Sequence, residues 1–169
     1  MKKLILILFA LVLLTGFSSL KTNAQEIKLG GGLVFETGKP PLGLQFKGTY
    51  GLDMLLENLA GSVEFGIFFP QTKKNWKYNR WAIDIDGNWT FWNTGDFDFY
   101  AVGGLNITHY SKKYTSNTYV DEVATKPGLN MGAGVNFNFS SNMSAFSEFK
   151  YIISNYDEAV FNLGVLFAL

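Results

Sequence analysis

Residues 128 to 139, Gly-Leu-Asn-Met-Gly-Ala-Gly-Val-Asn-Phe-Asn-Phe, sort their side chains by parity. Leu129, Met131, Ala133, Val135, Phe137 and Phe139 fall on one side, and Asn130, Gly132, Gly134, Asn136 and Asn138 on the other. A period of two belongs to a β-strand, whose successive side chains point to opposite faces. The same sorting recurs along the chain and predicts eight strands: 26–36, 42–50, 59–69, 80–92, 97 to about 110, 128–139, 143–153 and a last strand after residues 154–158 that ends at Leu169. Gly38-Lys39-Pro40-Pro41, Asn93-Thr94-Gly95-Asp96 and Ser140-Ser141-Asn142 carry turn chemistry. The segment 51–58 is too short to hold a helix alone and reads as a turn. The polar stretches 71–79 and 111–127 lack periodicity and read as long loops.

Short and long connections thus alternate, as they do in a barrel with tight turns at one rim and loops at the other. The expected fold class is all-β: an eight-stranded antiparallel up-and-down transmembrane β-barrel, with both termini at the inner rim.

Parity alone does not say which face is inside, but volume does. The apolar face carries Phe35, Phe46, Tyr50, Phe65, Phe69, Trp81, Trp89, Phe91, Phe97, Phe99, Phe137, Phe139, Phe149, Tyr151, Phe161 and Phe167. An eight-stranded barrel has a bore that ordinary side chains only just fill. The opposite face is rich in glycine, including Gly30, Gly32, Gly66, Gly104, Gly132 and Gly134. The bulky face therefore points outward into lipid, and a soluble lipocalin-like arrangement fails on volume.

Charge gives the same answer. Within the expected strands Lys28, Lys47, Glu64, Asp84, Asp86, Glu148 and Lys150 all fall on the small face, which avoids the ~2–4 kcal/mol penalty of a basic side chain facing mid-bilayer lipid. Enclosed in a narrow bore, charges of both signs must pair, so these seven residues are expected to form an interior ion-pair network, with Asn130, Asn136 and Asn162 as further partners. About eleven residues per strand at ~3.3 Å rise and ~40° tilt span roughly 28 Å, enough for a ~25 Å apolar band. Aromatic residues gather near the strand ends, as interfacial girdles do.

The amino terminus adds a destination. Met1-Lys2-Lys3, the apolar run Leu4 to Leu14 and then Thr22-Asn23-Ala24 have the three parts of a secretory signal peptide, so residues 1–24 are expected to be removed and 25–169 to form the barrel domain. The run is too short to span a membrane as a helix. Loss of Lys2, Lys3 and Lys21 leaves 11 basic residues against 14 acidic, a balance that does not suggest nucleic acid. The absence of cysteine excludes a disulfide scaffold, a thiolate metal site and a cysteine nucleophile.

The glycine-rich first strand (Leu29 to Phe35), the Gly-Ala-Gly-Val-Asn-Phe strand, Ala145-Phe146-Ser147-Glu148-Phe149-Lys150-Tyr151 and the closing alternation Phe161, Leu163, Val165, Phe167 resemble one family. It comprises the small eight-stranded outer-membrane barrels of the OmpA-like and OmpX-like type, found as short standalone proteins in the Bacteroidetes. The resemblance covers residues 25–169 and implies location in the outer membrane of a Gram-negative cell. It also implies contact with outer-membrane lipid and insertion by the barrel-insertion machinery. The chain departs from the pattern at Leu169, where the family usually ends in an aromatic residue.

Candidate chemistry is sparse. His109 and Ser111 share the lipid face at the outer end of the fifth strand and resemble the outward His-x-Ser pair of a lipid-A deacylase barrel, but the continuation Lys112-Lys113 departs from that pattern and Glu122 lies in a loop. Asp84 and Asp86 read as interior ion-pair partners rather than an acid pair. The glycine clusters at 30–32 and 103–104 precede no helix and are not phosphate loops. Lys73, Lys74, Trp76, Lys77, Tyr78, Lys112, Lys113, Tyr114 and Tyr119 make basic, aromatic loop tips. They are candidates for contact with lipopolysaccharide phosphates or a surface protein partner, against the alternative of plainly solvated loops. No cofactor, metal or catalytic residue is implied. The expected function is a structural or loop-mediated role with no open pore. The alternatives are an accessory subunit of a larger complex, a small-solute channel and a lipid-modifying enzyme.

Overall fold

The computed structural model describes residues 26–38, 40–73, 75–114, 122–155 and 157–169. The expected signal peptide, and with it the boundary at residue 24, lies outside the described residues. Within them the chain forms β1 (Ile27–Glu36), β2 (Leu42–Gly51), β3 (Leu59–Phe68), β4 (Gln71–Lys73), β5 (Trp76–Asn93), β6 (Phe97–Tyr114), β7 (Glu122–Ser140), β8 (Met143–Ile153) and β9 (Glu158–Ala168). Sequential strands pair antiparallel, β1 also pairs with β9, and a β3–β5 ladder closes the circle, so that eight strands form the barrel and β4 is a short tongue beside β5. Closure removes every sheet edge within the membrane, where an unpaired backbone group has no water to bond.

Parity sorts the side chains as volume requires. Met131 is 64% exposed and Phe46 57%, whereas the inward Phe68, Tyr100 and Phe146 are 2%, 2% and 3% exposed. An apolar surface that runs around the whole molecule far exceeds the few-hundred-Å² patches of soluble monomers and is explained by lipid. Aromatic side chains band both rims: Trp92 on Phe99 and Phe97 on Phe137 at the rim of the termini, Phe35 with Phe161 and Phe65 with Trp81 at the other.

The tight turns at 93–96 and 140–142 form as expected, while Lys39 of the 38–41 turn lies outside the described residues. At 93–96 the Gly95 amide donates to Asn93 Oδ1 at 2.8 Å, with Gly95 at φ 88°, a left-handed conformation that glycine adopts without steric cost. The segment 51–58 is a turn, capped by the Asn58 amide on Asp53 Oδ1 at 3.0 Å. A bulge between Thr90 and Trp92 leaves Phe91 unopposed and turns both Phe91 and Trp92 outward, where strict alternation would have put Trp92 in the bore.

The two long loops are corrected. Residues 71–73 form β4 and 76–79 the start of β5, paired Gln71↔Tyr78 to Lys73↔Trp76. Most of 111–127 continues β6 and β7, paired as far as Lys112↔Glu122. These stretches lack an apolar period because they stand beyond the lipid, where neither face needs to be apolar. Their Thr, Tyr, Trp and Val content still favours strand. Pro127 is tolerated in β7 because it lies beyond the last β7–β8 pair, Leu129↔Ile153, so one ladder is already absent there.

Candidate functional site: the ion-filled bore and the outer hairpin

Four of the charged side chains in the bore project past a glycine on a neighbouring strand. Lys47 is opposite Gly30, Lys150 opposite Gly132, Glu148 opposite Gly134 and Asp86 opposite Gly104. At Gly134 a Cβ would run into the Tyr100 ring, which needs that space to reach Glu148. The charges then meet. Lys150 Nζ lies 2.6 Å from Glu64, 3.0 Å from Asp86, 3.4 Å from Asp84 and 3.8 Å from Glu148. Lys47 Nζ lies 2.9 Å from Glu64 and contacts Glu148. Glu64 and Asp84 are direct cross-strand neighbours, a repulsive pair that Lys150 bridges.

Carboxylates outnumber cations in this cluster, and neutral donors serve the surplus. Tyr100 Oη donates to Glu148 at 2.8 Å, Asn106 to Asp84 at 2.7 Å, and Asn130 to Asp84 and Asp86 at 2.8 and 2.7 Å. Gln45 donates to Glu64. Six of the seven expected bore residues are thus in one network. Lys28 is not: it faces inward, but next to the strand's start, at the inner mouth, where it pairs with Glu26 at 3.1 Å. Asn136 and Asn162 also stand apart, with their Oδ1 atoms unbonded.

Sequence reading missed a second cluster nearer the outer rim. Arg80, 5% exposed, meets Glu36 at 2.8 Å and grips both oxygens of Glu158, one at 2.9 Å, while its guanidinium lies 5.2 Å from the Phe68 ring centre. Thr108 links the two clusters, within 3.4 Å of Arg80 and donating to Asn106 at 2.9 Å. The signal was present, since Arg80 shares parity with Asp84 and Asp86. The polar stretch before Arg80 hides it: the apolar alternation starts only at Arg80, whereas β5 begins at Trp76 and leaves Arg80 well inside the strand.

The bore therefore divides. An inner cavity of about 420 Å³ is lined by Lys28, Lys47, Asn88, Tyr100 and Asn136 among others, and an outer one of about 320 Å³ by Arg80, Asn106, Thr108, Tyr110 and Lys112 among others. Lys150, Glu64, Asp86 and Asn130 line neither and fill the space between.

Beyond the outer rim β4 to β7 continue as a small sheet. Lys73, Trp76, Lys77, Tyr78, Lys112, Lys113 and Tyr114 all stand on it, while Lys74 and Tyr119 lie outside the described residues. Trp76 packs edge-on against Tyr114 at 4.9 Å, and Lys112 Nζ sits 4.5 Å from the Trp76 ring centre. Tyr110 Oη donates to Glu122 at 2.6 Å. That hydroxyl, with Lys112 beside it, holds the exposed Glu122 carboxyl below the ordinary glutamate range. The alternative His-x-Ser constellation is not assembled. His109 Nδ1 is 2.9 Å from Thr125 Oγ1, its ring stacks on Trp81 at 5.1 Å, and the Ser111 hydroxyl has no hydrogen-bond partner. Glu122 is on the other face of the sheet, with Tyr110 and Lys112.

These features define a class, the small closed membrane barrel with an occluded polar bore. No protein-family model matches the sequence, and no curated protein aligns with it. Solved structures do match in fold. The attachment invasion locus protein Ail of Yersinia pestis superposes with a TM-score of 0.60 at 14% identity, covering 86% of this chain and 97% of that one. The N-terminal β-barrel domain of Pseudomonas aeruginosa OprF gives 0.65 at 16% identity over 85% and 97%, and Neisserial surface protein A gives 0.61 at 13% over 85% and 96%. At such identities the likeness is one of fold. That fold is the OmpA/OmpX-like eight-stranded outer-membrane barrel, and with its outward apolar belt the chain is an integral outer-membrane protein.

Proposed function

We propose that this protein is a non-conducting, non-enzymatic scaffold of the outer membrane that acts through the sheet its strands raise above the outer rim. The observation that carries the reading is the filled midsection of the bore, where Lys150 is 0% exposed among four carboxylates. A pore would need water there. An enzyme of the acyl-releasing kind would need its serine bonded to its base, and His109 is bonded to Thr125 instead. What remains accessible is the β4–β7 sheet, with its paired aromatics and lysines.

Two measurements test this. In planar bilayers the reconstituted protein is expected to show no steady current, and a steady ion-selective conductance would move the small-solute channel ahead. In native membranes, a photo-crosslinker at Tyr114 is expected to capture a surface component that a crosslinker at Asp96, at the opposite rim, does not. Equal capture at both positions would argue for an accessory subunit enclosed by a larger complex.

A further inference from the structure

Three hairpin turns stand at the rim of the termini, and the one between β2 and β3 differs from the other two. The turns at 93–96 and 140–142 expose Asn, Thr, Gly, Asp and Ser. The segment 51–58 reads Gly51-Leu52-Asp53-Met54-Leu55-Leu56-Glu57-Asn58 and leaves Leu55 72% and Leu56 53% exposed. This exposure is organised. The Leu55 and Leu56 amides both donate to the Leu52 carbonyl, at 2.8 and 3.2 Å, so the chain makes one helical turn. Spacings of three and four residues then put Leu55 and Leu56 on the side of Leu52.

That side faces lipid. Leu52 continues the outward parity of the exposed Phe46, and its Cδ1 lies 3.1 Å from where a Cβ would stand on Gly61, which shares parity with the exposed Val63 and Phe65. The Leu52 amide donates to the Leu59 carbonyl at 2.8 Å, and Leu59 is opposed to Trp89 across the ladder. Leu59 Cδ1 lies 3.8 Å from the corresponding position on Gly87, which has the parity of the exposed Ile85 and Trp89. Asp53 and Asn58 take the other side and line the inner cavity. The turn thus has a polar flank toward the mouth of the bore and an apolar flank continuous with the belt. Its depth is set as well. The Thr90 amide donates to the Asn58 carbonyl at 2.9 Å, so the turn begins beside Thr90, next to Phe91 and Trp92 of the aromatic band.

Side and depth match one occupant. We propose that the turn 51–58 is a membrane foot, with Leu55 and Leu56 among the upper acyl carbons of the inner-leaflet phospholipid and Leu52 and Leu59 seated over Gly61 and Gly87. It anchors the barrel from one side, because the turns at 93–96 and 140–142 offer lipid no apolar group. Burying two leucines even halfway favours the inserted turn over a lifted one by about tenfold or more. The foot is at the rim opposite the β4–β7 sheet and stands whatever that sheet contacts.

The chain has no cysteine, so L55C carries a single nitroxide in the full barrel reconstituted in phospholipid vesicles. Its collisions with molecular oxygen, which enters lipid, and with a water-soluble nickel chelate are compared with those of the same label on S141C. The ratio of oxygen to chelate collisions is expected to be well above that of position 141. L56N in the L55C background cuts the preference for insertion by about threefold or more and moves the ratio toward that of position 141. Both leucines lie outside the strands, so the heat-modifiable gel mobility of the folded barrel is expected to persist in these variants. Equal ratios at 55 and 141, or no response to L56N, overturn the proposal; the first result would leave the apolar tip for a periplasmic protein. Exclusion of both reagents at position 55 also overturns it, since a second copy of the chain would then cover the turn.

Discussion

Lys150 is the side chain whose loss the bore tolerates least. Its ammonium is within 4 Å of Glu64, Asp84, Asp86 and Glu148, and it is the only cation within reach of the two aspartates among the ion pairs of the described residues. Lys150→Met keeps much of the aliphatic stem but leaves Lys47 to serve Glu64 and Glu148 alone, and leaves Asp84 and Asp86 with only the amides of Asn106 and Asn130. Breaking one buried pair costs about 3–5 kcal/mol, because the stranded charge stays desolvated. With several carboxylates stranded together, the upper part of that range is expected. Reversible urea unfolding in lipid vesicles, followed by heat-modifiable mobility, reads this as a fall in midpoint of about 2 M for an m-value near 2 kcal/mol/M. The double variant K150M/D86N is expected to recover ~1 kcal/mol or more relative to additivity, since the two residues share one contact. A K150M loss below ~1 kcal/mol, with an additive double variant, would show that the bore carries enough water to solvate the acids, and would undo the non-conducting reading with it.

Three smaller predictions follow from individual contacts. Gly134→Leu places side-chain atoms where the Tyr100 ring now lies and is expected to destabilise the barrel by ~1–3 kcal/mol through overpacking, with the loss largely shared by Tyr100→Phe in a double-mutant cycle. Glu122, whose carboxyl is depressed by Tyr110, contributes above the unfolded glutamate pKa of ~4.3 and loses that contribution as pH falls through its folded value. Side-chain carbon NMR should therefore place its midpoint below ~4.3, and Tyr110→Phe should raise it; a midpoint at or above the ordinary glutamate value would contradict the contact. Trp76→Ala removes the edge-on pair with Tyr114 and is expected to lower amide protection in the projecting ends of β5 and β6 while leaving the urea midpoint unchanged.

Much of this architecture was legible in the alternation because a membrane barrel must keep parity strictly wherever a face meets lipid. The strand Met143–Ile153 was readable to the residue for that reason. Where the lipid ends, the constraint ends, so the projecting ends of β5, β6 and β7 passed for loops although their β-rich content pairs them well. The bore was legible in kind, as charges on the small face, but not in its grouping. Parity places Lys28 and Arg80 alike, and only depth separates them, Lys28 at the inner mouth and Arg80 deep enough to need Glu36 and Glu158. An apolar groove of about 630 Å³ in the wall beside Trp81, lined by Phe65, Ile67, Pro70 and Ile83 among others, could not be read at all, because it comes from a mismatch of three residues against two that depends on where pairing resumes after Pro70.

The charged bore and the apolar belt also fix each other. If β5 slipped by one residue against its neighbours, Arg80, Asp84 and Asp86 would turn into lipid while Trp81, Ile83 and Ile85 crowded the bore. With a mid-bilayer basic side chain costing ~2–4 kcal/mol and each buried partner left behind adding its own penalty, such a slip is worth far more than a small domain's net stability of ~5–15 kcal/mol. The same holds for β8, where Glu148 and Lys150 would leave the bore together. An interior ion network of this kind therefore does what a hydrophobic core does in a soluble protein: it selects one register. A fixed register is also what sets Lys77 opposite Lys113 and Asn79 opposite Ser111 on the outside. The outward rows are aligned because the inward charges allow no other alignment, so the ladder that faces lipid is held in place from inside the bore.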